Sequence, residues 1–137
     1  MRLTRTYRFS ASHRLHASDL SEQANAELYG KCNNPYGHGH DYVLHVTAEG
    51  AVDSDTGRIA APGMLDRYVR ERVLEVFDHR DMNADVPDFR GVPTTENLAS
   101  DITRRLCDDW ASSFPGIRLH GVIIRETPRN TIELRSE

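Results

Sequence analysis

Three histidines carry the chemistry that this sequence most plainly offers. His38 and His40 stand two residues apart in the triplet His38-Gly39-His40. On an extended strand alternate residues project from one face, so both imidazoles can chelate a single ion. His13 ends an alternating run in which Tyr7, Phe9, Ala11 and His13 share one face, and Arg8, Ser10, Ser12 and Arg14 the other. If that run pairs antiparallel with the strand bearing the triplet, apolar faces aligned, His13 joins His38 and His40. Three neutral imidazoles with a fourth position open make the ligand set of a catalytic zinc. The triplet contains no carboxylate, the donor that magnesium and calcium prefer. A His-x-His pair alone is more often an incidental surface feature; the third histidine in register raises this one above that. His16 and His45 read as bystanders, His45 because it lies on the opposite strand face from His38 and His40.

Other reactive side chains are ambiguous taken singly. Cys32 is a loop thiol between Lys31, the chain's only lysine, and Asn33. Asp78-His79 reads as a pair at a helix end, where a histidine is favourable. Glu126 reads as a solvated glutamate near a strand end. Thr94 and Thr95 stand where a helix N-cap is expected. Cys107 falls beside the apolar stripe of the same helix and is expected to be a small core residue.

These groups must be positioned by one domain, since 137 residues suffice for a single core and not for two. Strands are expected from the N-terminus to about residue 15 and from about His38 to Glu49, with a short strand end at Arg58–Ala60. The region 16–37 reads mostly as loop, with a helical turn around Ser21–Leu28. From Gly63 the period lengthens: Leu65, Val69, Val73 and Phe77, flanked by Tyr68 and Val76, mark one side of a helix. A second helix starts at the Thr94-Thr95-Glu96-Asn97 cluster, after Pro93, with Leu98, Ile102, Leu106 and Trp110 as its buried stripe. Strands return at Ile117–Glu126 and Thr131–Arg135 around the tight Thr127–Asn130 segment. The order strand, strand, helix, helix, strand, strand implies an α+β fold, an antiparallel sheet covered on one face by two helices.

Composition excludes several function classes. A net charge of −4 argues against binding nucleic acid through phosphate neutralisation. No apolar run is long enough to span a bilayer, and the N-terminus lacks the apolar stretch of a signal peptide. A cytoplasmic setting follows, in which Cys32 and Cys107 are expected to stay reduced.

The segments Phe9-Ser-Ala-Ser-His-Arg-Leu15, Gly30-Lys-Cys-Asn-Asn-Pro-Tyr-Gly-His-Gly-His40, Asp78-His79, Thr94-Thr-Glu-Asn97 and Glu126-Thr127 resemble, in order and spacing, the 6-pyruvoyl-tetrahydropterin synthase and 6-carboxy-tetrahydropterin synthase superfamily, and the former most closely. The resemblance implies the tunnelling fold, a ββααββ unit spanning residues 1–137 whose sheets join into a barrel, usually a trimer stacked into a homohexamer. It implies a zinc-dependent lyase that turns a pterin triphosphate, 7,8-dihydroneopterin triphosphate, into 6-pyruvoyl-tetrahydropterin with loss of triphosphate, a step of tetrahydrobiopterin biosynthesis.

Residue by residue, the resemblance makes His13, His38 and His40 the zinc ligands. Zinc there holds the substrate's side-chain hydroxyls and acidifies the carbon-bound proton beside the ring. Cys32 matches the base, and Asp78 and His79 match its partners, which in this family reach the cysteine from a neighbouring subunit. Glu126 matches the pterin anchor, whose carboxylate accepts two parallel hydrogen bonds from the 2-amino-4-oxo edge. Thr94 and Thr95 are candidates to help hold the ring, and Arg14 and Lys31 candidates for the triphosphate.

One stretch, Ala61-Pro-Gly-Met-Leu65, departs from the family pattern where an acidic residue commonly precedes the first helix. Three other outcomes stay open. The sister enzyme of queuosine biosynthesis makes 6-carboxy-tetrahydropterin from the same substrate, but usually has three residues between cysteine and histidine, where five separate Cys32 from His38. A folate-branch relative typically carries glutamate at or near the cysteine. A zinc- or pterin-binding protein without catalysis could dispense with Cys32, Asp78 or His79, and all are present.

Overall fold

The computed structural model describes residues Met1–Ser136. In chain order the elements are β1 (Arg2–His13), α1 (Glu22–Tyr29), a 3-10 turn (Gly30–Asn33), β2 (His38–Glu49), α2 (Pro62–Val69), a π-helical turn (Arg70–Leu74), α3 (Glu75–Phe77), β3 (Arg80–Asp81), α4 (Thr95–Cys107), α5 (Trp110–Ser113), β4 (Arg118–Thr127) and β5 (Asn130–Arg135). One five-stranded sheet runs in the order β3-β1-β2-β4-β5. The α+β class holds, and the two expected hairpins form: β1 pairs antiparallel with β2, and β4 with β5. The sheet is mixed rather than wholly antiparallel, because the two-residue β3 lies parallel to β1 at Ala11 and Ser12. Arg58–Ala60 forms no strand.

Alternation decides which face of the sheet is buried. Tyr7, Phe9 and Ala11 of β1 and Tyr42, Leu44 and Val46 of β2 pack against α2, α3 and α4, where Leu65, Val69, Val73, Phe77, Leu98, Ile102 and Leu106 are wholly buried. The opposite face is polar and bound by cross-strand pairs: Thr4 with Thr47 at 2.7 Å, Thr6 with His45 at 2.9 Å, and the Ser10 hydroxyl donating to Asp41 at 2.5 Å. The four-residue steps from Leu65 to Phe77 exceed the period of an α-helix and would carry Phe77 about 120° round from Leu65. The π turn between α2 and α3 takes up the excess and keeps all four side chains on the core.

Helix ends follow capping chemistry. Ser21 accepts from the Ala24 amide to start α1, and Thr94 accepts from the Asn97 amide to start α4. In the departing Ala61–Leu65 stretch, Pro62 opens α2 with no side-chain cap. Its place is held instead by Asp66, which accepts two bonds from the Arg5 guanidinium and a third from the Tyr7 hydroxyl. Trp110 stands outside the second long helix, opening α5, yet it is buried edge-on against Tyr68. Cys107 corrects the sequence reading: it ends α4 on the outward side and is exposed, its sulfur 3.7 Å from Ser136.

The β4–β5 approach depends on Gly121. A Cβ there would lie 2.5 Å from the Leu134 carbonyl oxygen and 2.9 Å from the Arg135 Cα, so backbone must move to admit it. Gly121→Ala is therefore expected to destabilise the fold by about 1–3 kcal/mol. Urea unfolding measures this, and an unchanged midpoint would show that the hairpin yields without cost.

Candidate functional site

The register of β1 on β2 assembles the histidines. His13 pairs with His38 and Ala11 with His40, so all three imidazoles leave the sheet on its helix-covered face. Their ring centroids lie 4.6–5.0 Å apart, and the Nε2 atoms of His38 and His40 are 2.9 Å apart. His13 is 1% exposed, and its Nδ1 lies 2.9 Å from the Pro93 carbonyl oxygen. A carbonyl can only accept, so Nδ1 carries the hydrogen and Nε2 presents a lone pair. That Nε2 is buried without a partner. A buried lone pair beside two further imidazoles fits a cation, and an imidazole whose other nitrogen donates to a carbonyl is the usual form of a metal-bound histidine.

Cys32 enters from the 3-10 turn, with Sγ 3.5 Å from His38 Nε2. One ligand atom from each of His13, Cys32, His38 and His40 falls within 4.8 Å of every other. The turn is fastened to the residues just after His13. The Leu15 amide donates to the Cys32 carbonyl, the Asn33 side chain donates to the Leu15 carbonyl, and Arg14 Nε donates to the Asn33 carbonyl. Asn25 secures the loop between them, donating to and accepting from the backbone of Ala17.

Glu126 forms the wall beside His40, with Oε1 3.9 Å from His40 Nε2. Its Oε2 accepts from the Thr95 hydroxyl at 2.5 Å. Burial holds the His13 and His40 imidazoles below their ordinary pKa, the neighbouring histidines adding to it while the Pro93 carbonyl and Glu126 oppose it. They are thus neutral near pH 7, the form that binds a metal. Burial, and then the Glu126 charge, pushes the Cys32 thiol up, so an added positive charge is needed to make it a thiolate at neutrality.

The structure thus brings together His13, His38, His40, Cys32, Glu126 and Thr95. Thr94 is occupied as the α4 cap, Lys31 is exposed, and Arg14 gives its Nε to the Cys32 turn. Asp78 and His79 lie elsewhere. Asp78 accepts from the Ser10 amide, the His79 amide donates to the Ser10 carbonyl, and His79 holds a left-handed φ of 59° with its side chain 83% exposed. His79 borders a groove of about 460 Å³ lined also by Ser10, Ser12, Asp41, Asp85 and His40. Among the described residues no hydrogen bond joins either to Cys32.

Sequence reasoning missed three contributors. The Pro93 carbonyl carries no side-chain signal. Tyr42, two residues after His40 and so on the site face, has its hydroxyl 3.5 Å from His13 Nδ1. The third is a tether: Arg105 bridges buried Asp101 of α4 and Asp88 of the segment leading to Pro93, at 2.7 and 2.8 Å.

Known proteins match this arrangement along its whole length. The sequence model of the family described as 6-pyruvoyl tetrahydropterin synthase matches residues 2–137. A 6-pyruvoyl tetrahydrobiopterin synthase of Poecilia reticulata is 42% identical over 136 residues, 98% of this chain and 90% of that protein. Its Homo sapiens counterpart is 39% identical, covering 98% and 91%. The solved structure of Caenorhabditis elegans 6-pyruvoyl tetrahydropterin synthase superimposes with a TM-score of 0.88 at 36% identity, covering 100% of this chain and 96% of that one. Among the described residues, no helix is long and apolar enough to cross a membrane.

Proposed function

This chain belongs to the 6-pyruvoyl tetrahydropterin synthase family, and from that premise we propose that it converts 7,8-dihydroneopterin triphosphate into 6-pyruvoyl-tetrahydropterin in the cytoplasm, with zinc held by His13, His38 and His40. The observation that carries the reading is the cluster of three imidazoles and one thiol within 4.8 Å of one another, with the Glu126 carboxylate 3.9 Å from His40. Bound zinc would supply Lewis acidity toward the hydroxyls of the substrate side chain. Glu126, oriented by Thr95, receives the N–H edge of the pterin ring. Cys32 then stands on the side-chain end of the pocket, where it removes the carbon-bound proton. Elimination of triphosphate and an internal rearrangement complete the conversion, with no nicotinamide or flavin.

We assign Asp78 and His79 to the cysteine of a neighbouring subunit, in a trimer or hexamer whose sheets close into a barrel. Their contacts support this: within one chain neither has a hydrogen bond to Cys32 among the described residues, and the His79 side chain is 83% exposed. So does the position of β5, which ends the sheet. Arg14 and Lys31 are the cations nearest in sequence to the site turn and are proposed for the triphosphate.

The test is to incubate zinc-loaded protein with 7,8-dihydroneopterin triphosphate and identify products by mass spectrometry. 6-Pyruvoyl-tetrahydropterin and triphosphate are expected. A 6-carboxy product with acetaldehyde would move the protein to queuosine biosynthesis. Unchanged substrate in the presence of bound zinc would leave a binding protein on the same fold.

A further inference from the structure

We propose that Cys32 is the fourth metal ligand of the substrate-free protein, closing the shell that His13, His38 and His40 begin. This rests on the metal reading above and adds to it a second role for the thiol. Distances carry the argument. Zinc–sulfur and zinc–nitrogen bonds of about 2.3 and 2.05 Å at tetrahedral angles separate a sulfur from a nitrogen by about 3.6 Å, and two nitrogens by about 3.4 Å. Cys32 Sγ stands 3.5 Å from His38 Nε2, and all four donor atoms lie within 4.8 Å of one another. The sulfur is therefore already on a tetrahedral edge, and the His38–His40 pair at 2.9 Å need open by only about half an ångström.

The thiol is held there by construction. Three hydrogen bonds fasten its turn to Arg14 and Leu15, the two residues that follow His13. The sulfur and the first imidazole are thus fixed to the same short stretch of backbone. Among the described residues, His38 is the sulfur's only hydrogen-bond neighbour. Thiolate is also the softest donor in the cluster and the one zinc and cobalt retain well. On coordination the S–H bond breaks, its proton passes to solvent and a sulfur–metal bond forms, with no change in oxidation state. The sulfur that the reaction needs as a base is in this way kept deprotonated and shielded until an oxygen donor competes for its place.

Cobalt titration of the metal-free protein tests the assignment, with circular dichroism to check folding. One equivalent of Co2+ is expected to give four-coordinate visible bands and an intense near-ultraviolet sulfur-to-cobalt charge-transfer band. Cys32→Ala should lose the charge-transfer band and still bind one Co2+, at least about tenfold more weakly. Cys107→Ser, altering the exposed thiol, should keep it. A stoichiometric wild-type complex without that band, or a band that persists in Cys32→Ala, overturns the proposal while the histidine site stands. Failure of wild type and variant alike to bind Co2+ removes the metal reading and this inference with it.

Discussion

Replacing His38 with alanine is expected to strip the metal from the protein and to lower turnover at least about 10³-fold, the loss that follows from removing several kcal/mol of charge stabilisation. His38 is the better probe among the three proposed ligands. It opens β2, is only half-buried, and faces both Cys32 Sγ and His40 Nε2. His13 is instead wholly buried against Pro93, so its loss would mix metal release with core damage. Metal content by inductively coupled plasma mass spectrometry and turnover should fall together, with the circular dichroism spectrum unchanged. His45→Ala is the matched control: on the polar face, bonded to Thr6, it should keep both. Stoichiometric metal in His38→Ala, with turnover within about tenfold of wild type, would refute the ligand assignment.

The same histidines give the site a defined pH window. His13 and His40 hold pKa values below their ordinary one, chiefly through burial. A base with a depressed folded-state pKa contributes stability that is complete above its unfolded value, about 6.5, and lost as pH falls through the folded one. The melting temperature of the chelated protein should therefore fall as pH drops below about 6.5, and loaded protein should release metal over the same descent. Glu49, held down to about 2 by Arg118 and Arg2, and Asp66 and Asp88, held down by their arginines, all titrate lower. A melting temperature that stays flat or rises on acidification would contradict the burial of these two imidazoles.

Much of this site was legible because strand period and ligand spacing coincide. The alternation ending at His13 and the His38-Gly39-His40 triplet settle which face each imidazole takes, and the observed pairing of His13 with His38 follows from aligning apolar faces. What escaped reading depends on backbone irregularity or on contacts distant in sequence. No periodicity announces the π turn in the first long helix, which is visible only in the surplus of its four-residue steps. Cys107 was misplaced because α4 ends there, one residue past the buried Leu106, so the stripe no longer governs it. Trp110 shows the converse: the helix breaks, yet the indole regains the core and donates to the Ile117 carbonyl. Asp78-His79 was legible as a motif, but its bond to Ser10 on the β1 edge is tertiary and has no local signature.

Glu126→Gln should lower kcat/KM by about 10²–10⁴, from two charge-assisted hydrogen bonds of about 1.5–3 kcal/mol each, while leaving metal content intact. The reason begins in the strand that carries it. Opposite Thr47 and Ala48, β4 holds one residue too many, His120, and this bulge changes which residues face the core. Leu119 is buried before it, Val122 and Ile124 after it, and the even-numbered set continues to Glu126. Without the extra residue, exposed Arg125 would take the site face and the carboxylate would point away. A second irregularity, between the Arg125–Thr131 and Thr127–Asn130 pairs, leaves Glu126 itself outside the ladder, turned toward Thr95 and His40. The amide is isosteric and can still accept from the Thr95 hydroxyl, so the wall should survive. What it loses is the second acceptor: its NH2 group meets donors on the pterin edge with another donor. Steady-state kinetics separates the possibilities. A loss in kcat/KM with stoichiometric metal identifies the anchor, whereas a loss of metal would place Glu126 in support of His40. Wild-type kinetics in the variant would mean that the ring is held by other groups.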